Sequence, residues 1–240
     1  MGTFGQSGSA VRLEWGPSGV EALGADCAVL IVVDVLSFCT TVDIVVGRGA
    51  TVVPLRAPEE RPGAVLAGTG PWTLRPSSVT GIPAGTVLGL PSPNGARLCA
   101  AAEETGAIVF AGCLRNATAV AAAAHRLAGG GAIGVIPAGE QWGVSFAGKG
   151  TTGALRPGVE DHLGAGAIAA ALLANGLPGS PEAVLAAAAF RATDLATALH
   201  GCVSGRELAD AGHRGDVGLA AEFDTSEAAP LLTGGALRHG

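Results

Sequence analysis

The sequence predicts an α/β protein, a three-layer arrangement with a largely parallel or mixed sheet and helices on both faces. Three observations predict it. Short β-branched apolar runs alternate with segments of helical apolar spacing, and glycine, proline and asparagine punctuate the junctions. Of the 240 residues 48% are hydrophobic and only 14% charged, enough apolar material for one continuous core. Aromatic residues make up 4%, so Ala, Val, Leu and Ile must fill that core, with glycine letting backbones approach.

The first strand is expected over residues 28–35, an apolar run bounded by Asp26 and Asp34. Residues 37–46 set Phe38, Thr41, Val42, Val45 and Val46 at helical spacing, Gly47 and Gly49 end that helix, and a strand follows over 50–55. Residues 57–83 dissolve into Pro, Gly, Ser and Thr, with one short strand at 64–67. A second unit runs as strand 86–90, turn Pro91-Ser92-Pro93-Asn94-Gly95 and helix 96–104; a third as strand 107–111, turn 112–116 and helix 117–127, with Asn116 as N-cap. Gly129 to Gly131 break that helix before strand 132–136. The Gly-rich stretch 137–157, with Glu140, Trp142 and Lys149, is of a length that in compact domains marks a functional lid or disorder. Helices follow at 159–173, 182–189, 194–199 and 206–211, then a more polar closing segment through Asp216, Asp224 and Pro230. Without a repeat or a linker, the organisation reads as a partly ordered N-terminal segment, 1–26, and a single domain, 27–240.

The formal charge is −6, and an acidic domain with scattered arginines lacks the basic face that nucleic-acid binding needs. Those arginines suit small anions instead. Five widely spaced cysteines without a CxxC pair argue for reduced thiols. The polar, glycine-rich start is no signal peptide, and no run is apolar for long enough to span a membrane, so the expected location is the cytoplasm.

In a parallel sheet the loops leaving the carboxyl ends of strands converge on a ligand crevice. Asp34 ends the first strand, where it either caps the next helix or presents a carboxylate from a rigid element. Ser37, Thr40 and Thr41 lie in the following turn and combine with helix N–H groups as an anion site, or else cap and pack locally. Asn94, Gly95 and Arg97 pair a tight turn with a guanidinium one turn into a helix, a better anion candidate. Arg115 and Asn116 repeat the idea, with capping as the alternative. Glu160 and Asp161, joined by Asp34, offer oxygen ligands to magnesium bridging to a phosphate, or simply complement a helix dipole. There is no Walker A sequence, no GxSxG and no HxxxH or HxH spacing.

The motifs Val32-Val33-Asp34-Val35-Leu36 with Thr40-Thr41, Ser92-Pro93-Asn94-Gly95-Ala96-Arg97, residues 112–116, Pro137-Ala138-Gly139, Val159-Glu160-Asp161 through Gly166, and Gly205-Arg206-Glu207-Leu208 through Gly212 and Asp216 resemble, in collinear order, those of the 2-phosphosulfolactate phosphatases. The resemblance covers about residues 27–230 and implies an α/β fold, magnesium-dependent hydrolysis of a phosphate ester on a small acidic substrate, and a homodimer as one assembly. Carried over, Asp34, Glu160 and Asp161 become candidate metal or acid/base carboxylates, and Asn94, Gly95, Arg97 and Asn116 candidate phosphate contacts. Joined with the reading of the loops, this gives Asp34, Arg97 and Glu140 as the catalytic candidates, Ser37, Thr40, Thr41, Asn94, Gly95 and Asn116 as the phosphate contacts, and Asp34, Glu160 and Asp161 as the metal ligands. Three departures stand out. Ser37 replaces an arginine, Leu66-Ala67-Gly68-Thr69-Gly70 replaces a Gly-Glu-Arg stretch, and Ser92-Pro93 replaces a Thr-Thr pair. Two anion-binding charges are therefore missing. That leaves a divergent phosphatase, a hydrolase of a non-sulfonated substrate and a catalytically silent anion-binding protein as the open readings.

Overall fold

A computed structural model describes residues 3–143 and 153–240; Lys149 lies outside them. The chain forms β1 (Val11–Leu13), α1 (Gly16–Leu23), β2 (Cys27–Val33), α2 (Phe38–Gly47), β3 (Thr51–Leu55), β4 (Val65–Leu66), β5 (Val87–Pro91), α3 (Gly95–Glu104), β6 (Ile108–Gly112), α4 (Ala117–Ala128) and β7 (Ala132–Pro137). It continues with β8 (Glu140–Gln141), β9 (Leu155–Arg156), α5 (Val159–Ala174), α6 (Pro181–Arg191), α7 (Leu195–Gly201), α8 (Val203–Asp210), α9 (Arg214–Ala221), β10 (Pro230–Thr233) and β11 (Ala236–His239). The main sheet has the order β1-β7-β2-β6-β10-β11-β3-β5-β4. It is mixed: β1, β7, β2 and β6 are parallel neighbours, as are β3, β5 and β4, and the antiparallel β10–β11 hairpin joins the two groups.

Helices cover both faces, as the alternation of β2 requires. Val29, Ile31 and Val33 point into one apolar cluster with α4, α5 and α6; Leu30 and Val32 point into the other with α1, α2 and α3. No described helix is long and apolar enough to cross a membrane.

Two regions differ from the sequence expectation. Within residues 1–26, expected to stand apart, Val11–Leu13 pairs in register with β7 and extends the sheet, and Val20 and Leu23 of α1 are buried against it. The polar closing segment, to which the sequence pattern assigns no element beyond residue 211, supplies the β10–β11 hairpin. Its turn residues Gly234 and Gly235 have φ of 58° and 74°, the left-handed pair that two-residue hairpins favour, and Leu232 and Leu237 enter the core.

Helices α5 and α6 pack so closely that a Cβ on Gly166 would run into the Ala186 carbonyl. Gly166→Ala should therefore destabilise the fold by about 1–3 kcal/mol. Gly218→Ala, in α9 with nothing within 4 Å of the added carbon, should be neutral or stabilising by up to about 1 kcal/mol. Urea denaturation of both variants checks the contrast.

Candidate active site

The carboxyl edge of the sheet holds two desolvated aspartates, each divided between two backbone donors from different elements. Asp34, directly after β2, takes the Phe38 N–H on Oδ1 at 3.2 Å and the Gly95 N–H on Oδ2 at 2.9 Å. It thereby ties the starts of α2 and α3 together. The second donor has to come from a glycine, because a Cβ at residue 95 would sit 2.8 Å from Asp34 Oδ2 and strike the Phe38 ring. Asp161, in the first turn of α5, takes the Val35 N–H at 2.7 Å and the Gly139 N–H at 2.8 Å. Beside it Glu160 accepts the Ser204 hydroxyl on Oε1 at 2.7 Å, while Oε2 is buried without a partner. Glu140 of β8 accepts the Asn94 amide at 3.0 Å.

Burial and neighbouring negative charge raise Asp34, Asp161 and Glu140. Burial lifts Asp34 to about 6, with the Glu160 charge adding to it and the two N–H donors resisting. Burial also lifts Asp161 well above the usual range, followed by the charges of Glu160 and Asp34. Glu140 reaches about 7, chiefly through burial and then the charge of Asp34, with Asn94 and Arg156 pulling the other way.

A crevice of about 500 Å³ opens over this group. Its lining is mixed, with Asp34, Ser37, Asn94, Glu140, Arg156, Ser204 and Glu207 as polar members and Leu36, Leu74, Trp142, Val203 and Leu208 as apolar ones. Arg156 of β9 is the one cationic side chain among its described lining residues, and it reaches Ser204 Oγ at 3.4 Å. The antiparallel pairing of β9 with β8 places Arg156 opposite Glu140.

The structure brings Asp34, Ser37, Asn94 and Glu140 together at the crevice, with Gly95, Glu160 and Asp161 bonded directly behind it. Three expected phosphate contacts lie outside the crevice lining. Thr40 donates its hydroxyl to the Val35 carbonyl and Thr41 to the Leu74 carbonyl, both at 2.8 Å. Asn116 is fully buried; its Oδ1 accepts the Cys113 N–H at 2.9 Å, tying its own turn, and its Nδ2 is left without a partner. Arg97, expected among the catalytic groups, does not line the crevice. With Gly95 and Ala96 buried, the next residue of the helix turns outward, and Arg97 lines a neighbouring cleft of about 640 Å³ that shares Asn94 and Glu140. Arg115 pairs with Asp43 at 2.9 Å and with Glu222, also away from the crevice. The anion expected at the starts of α2 and α3 is, for the Phe38 and Gly95 N–H groups, the protein's own Asp34.

Arg156, Ser204 and Glu207 escape a reading of the sequence. The one signal for Ser204 and Glu207 is the glycine-rich stretch at 205–212, whose helix starts at Val203, earlier than the apolar pattern shows.

Among the described residues no three His, Cys, Asp or Glu side chains already form a metal cage. The chemistry of the donors does suit a hard cation: Asp34, Glu160 and Asp161 offer only oxygen, and Glu160 Oε2 is a buried oxygen lacking any donor.

A family model described as 2-phosphosulpholactate phosphatase matches residues 68–235. The matched stretch holds Asn94, Glu140, Arg156, Glu160, Asp161 and Ser204 and begins beyond Asp34. No curated protein matches the chain.

The raised acid of Glu140 has a consequence for stability. The folded protein holds a proton that an unfolded chain releases near 4.5, so the fold is favoured at low pH and the advantage is lost as pH rises through about 7. In EDTA the melting temperature should fall between pH 5 and pH 8, and Glu140→Gln should flatten that fall. An unchanged slope in the variant would show that Glu140 ionises as it does in water.

Proposed function

The chain belongs to the 2-phosphosulpholactate phosphatase family, and from that premise we propose that it hydrolyses a small phosphate monoester in the crevice at the carboxyl edge of its sheet, with magnesium as cofactor. The observation that carries this reading is the group of four carboxyls, Asp34, Glu140, Glu160 and Asp161, gathered in one desolvated place with a buried, unpartnered oxygen on Glu160. Such a concentration of negative charge is stable only with protons or a cation.

Asp34, Glu160 and Asp161 would hold magnesium, which when bound neutralises phosphoryl oxygens and makes a coordinated water a stronger nucleophile. The chain's own groups have separate tasks. Arg156 pairs with a phosphoryl oxygen through a charge-assisted hydrogen bond. Glu140, with its acid near 7, exchanges a proton with the attacking water or the departing alcohol, since a proton-transfer group works best when its pKa lies near the working pH. Asn94 holds Glu140 in place by the amide contact. Asp34 keeps the mouth of the crevice in shape through α2 and α3, so that the reacting groups meet without further ordering. The five free, buried cysteines support a reducing compartment such as the cytoplasm.

One observation favours a silent anion-binding protein instead: every carboxylate oxygen of Asp34 and Asp161 already accepts a backbone N–H. Phosphate release from a panel of small phosphate esters separates the two. The phosphatase should turn over with magnesium and stop in EDTA. Asp34→Asn should abolish metal-dependent release, and Glu140→Gln should lower kcat by about a hundredfold or more. Tight phosphate binding without release from any ester would make this a binding protein.

A further inference from the structure

The crevice is lined by two unlike kinds of side chain, and they discriminate between classes of phosphate ester. The charged ones are Asp34, Glu140 and Glu207, with Arg156 as the one cation among the described lining residues. The apolar ones are Leu36, Leu74, Trp142, Val203 and Leu208. Val203 is 45% exposed and Trp142 61%, so apolar surface lies open to water beside the polar site, a pattern that marks a ligand-binding surface. The volume, about 500 Å³, falls in the ordinary range for a small organic ligand.

A phosphoryl group would use Arg156, on the phosphatase reading above, together with any bound cation. A second anionic group on the same substrate, a carboxylate or a sulfonate, would then lose its hydration among three carboxylates and five apolar side chains, with neutral groups such as Ser37, Asn94 and Gln141 and no further described cation to pair with it. Like charges brought together across a contact, and charges buried unpaired, are both unfavourable. An alkyl or aryl group in that position displaces water from Leu36, Leu74 and Val203, a gain proportional to the area covered. The two arginines absent at residue 37 and in residues 66–70, where the resembling family carries them, lie on the side of the same argument: Ser37 itself lines the crevice.

We infer that the organic half of the ester is uncharged and apolar, so that the substrate is a small alkyl or aryl phosphate monoester, not a carboxylated or sulfonated one. The charged and the apolar lining groups then act as a selector, the first for the phosphoryl end and the second for the hydrocarbon end.

The test is a comparison of kcat/KM for hexyl phosphate, phenyl phosphate, phospholactate and 2-phosphosulfolactate with magnesium present. The alkyl or aryl ester should exceed 2-phosphosulfolactate by at least about tenfold, the scale on which apolar pockets discriminate. Val203→Arg, at an exposed position, should narrow that ratio. Equal or faster turnover of 2-phosphosulfolactate by the wild type overturns the inference and leaves the phosphatase reading standing. Should no ester be hydrolysed, the phosphatase reading falls, and calorimetric binding of hexylphosphonate against phosphonoacetate decides the inference alone. Tighter binding of hexylphosphonate supports it; equal or weaker binding overturns it.

Discussion

The arrangement of the carboxyl edge depends on how two buried carboxylates, Asp34 and Asp161, are satisfied. Taking a carboxylate out of water is unfavourable by several kcal/mol, and here the compensation comes from backbone N–H groups: Phe38 and Gly95 for the first, Val35 and Gly139 for the second. Hydrogen bonds to a charged acceptor are worth about 1.5–3 kcal/mol each, so two of them offset much of that penalty, and burial with the neighbouring carboxylate charges still raises both acids. What the arrangement secures is geometry. The four donors sit at the starts of α2 and α3 and in the turns after β2 and β7, so two side chains fix the relative positions of the segments that frame the crevice.

The same economy explains which residues face solvent in the crevice and which do not. Thr40 and Thr41 are polar groups near the sheet edge whose hydroxyls are consumed by framework carbonyls, and Asn116 gives its Oδ1 to the Cys113 N–H. Glu140, Arg156 and Ser204 lie on β8, β9 and the first turn of α8, outside the strand-to-helix turns that hold the framework, and they remain available to a ligand. Their surroundings, part carboxylate and part hydrocarbon, lower the local dielectric and strengthen any charge interaction formed there.

Much of this was legible in the sequence because the signals were local. The apolar run ending at Asp34, the Asn94-Gly95 turn and the acidic start of α5 each announced a strand end or a helix start, and the structure places the first two at the crevice and the third behind it. Partner choice was only partly local. Asn116 keeps to a local partner, the Cys113 N–H three residues back, but the outward turn of Arg97 follows from Gly95 being drawn onto Asp34, 61 residues away in the chain. Arg156 was hidden because β9 has two residues, too few for any periodicity. The β10–β11 hairpin was hidden by the polarity around it, although the Gly234-Gly235 pair carried the turn signal; β1, with three residues, left no pattern to read.

The position of that hairpin bears on the order in which the molecule assembles. All strands of the two parallel groups, β1-β7-β2-β6 and β3-β5-β4, lie before residue 138 of the chain. The strands that join them come almost a hundred residues later. Until Leu231 and Leu232 meet β6 and Leu237 meets Val52 of β3, each group ends in an open row of unpaired amides and carbonyls. Joining them closes long loops, and long-range strand pairing of this kind is intrinsically slow. During that interval the exposed edges of β3 and β6 are templates for another chain's strand, so the late hairpin is both the final stitch of the sheet and its guard against pairing between molecules.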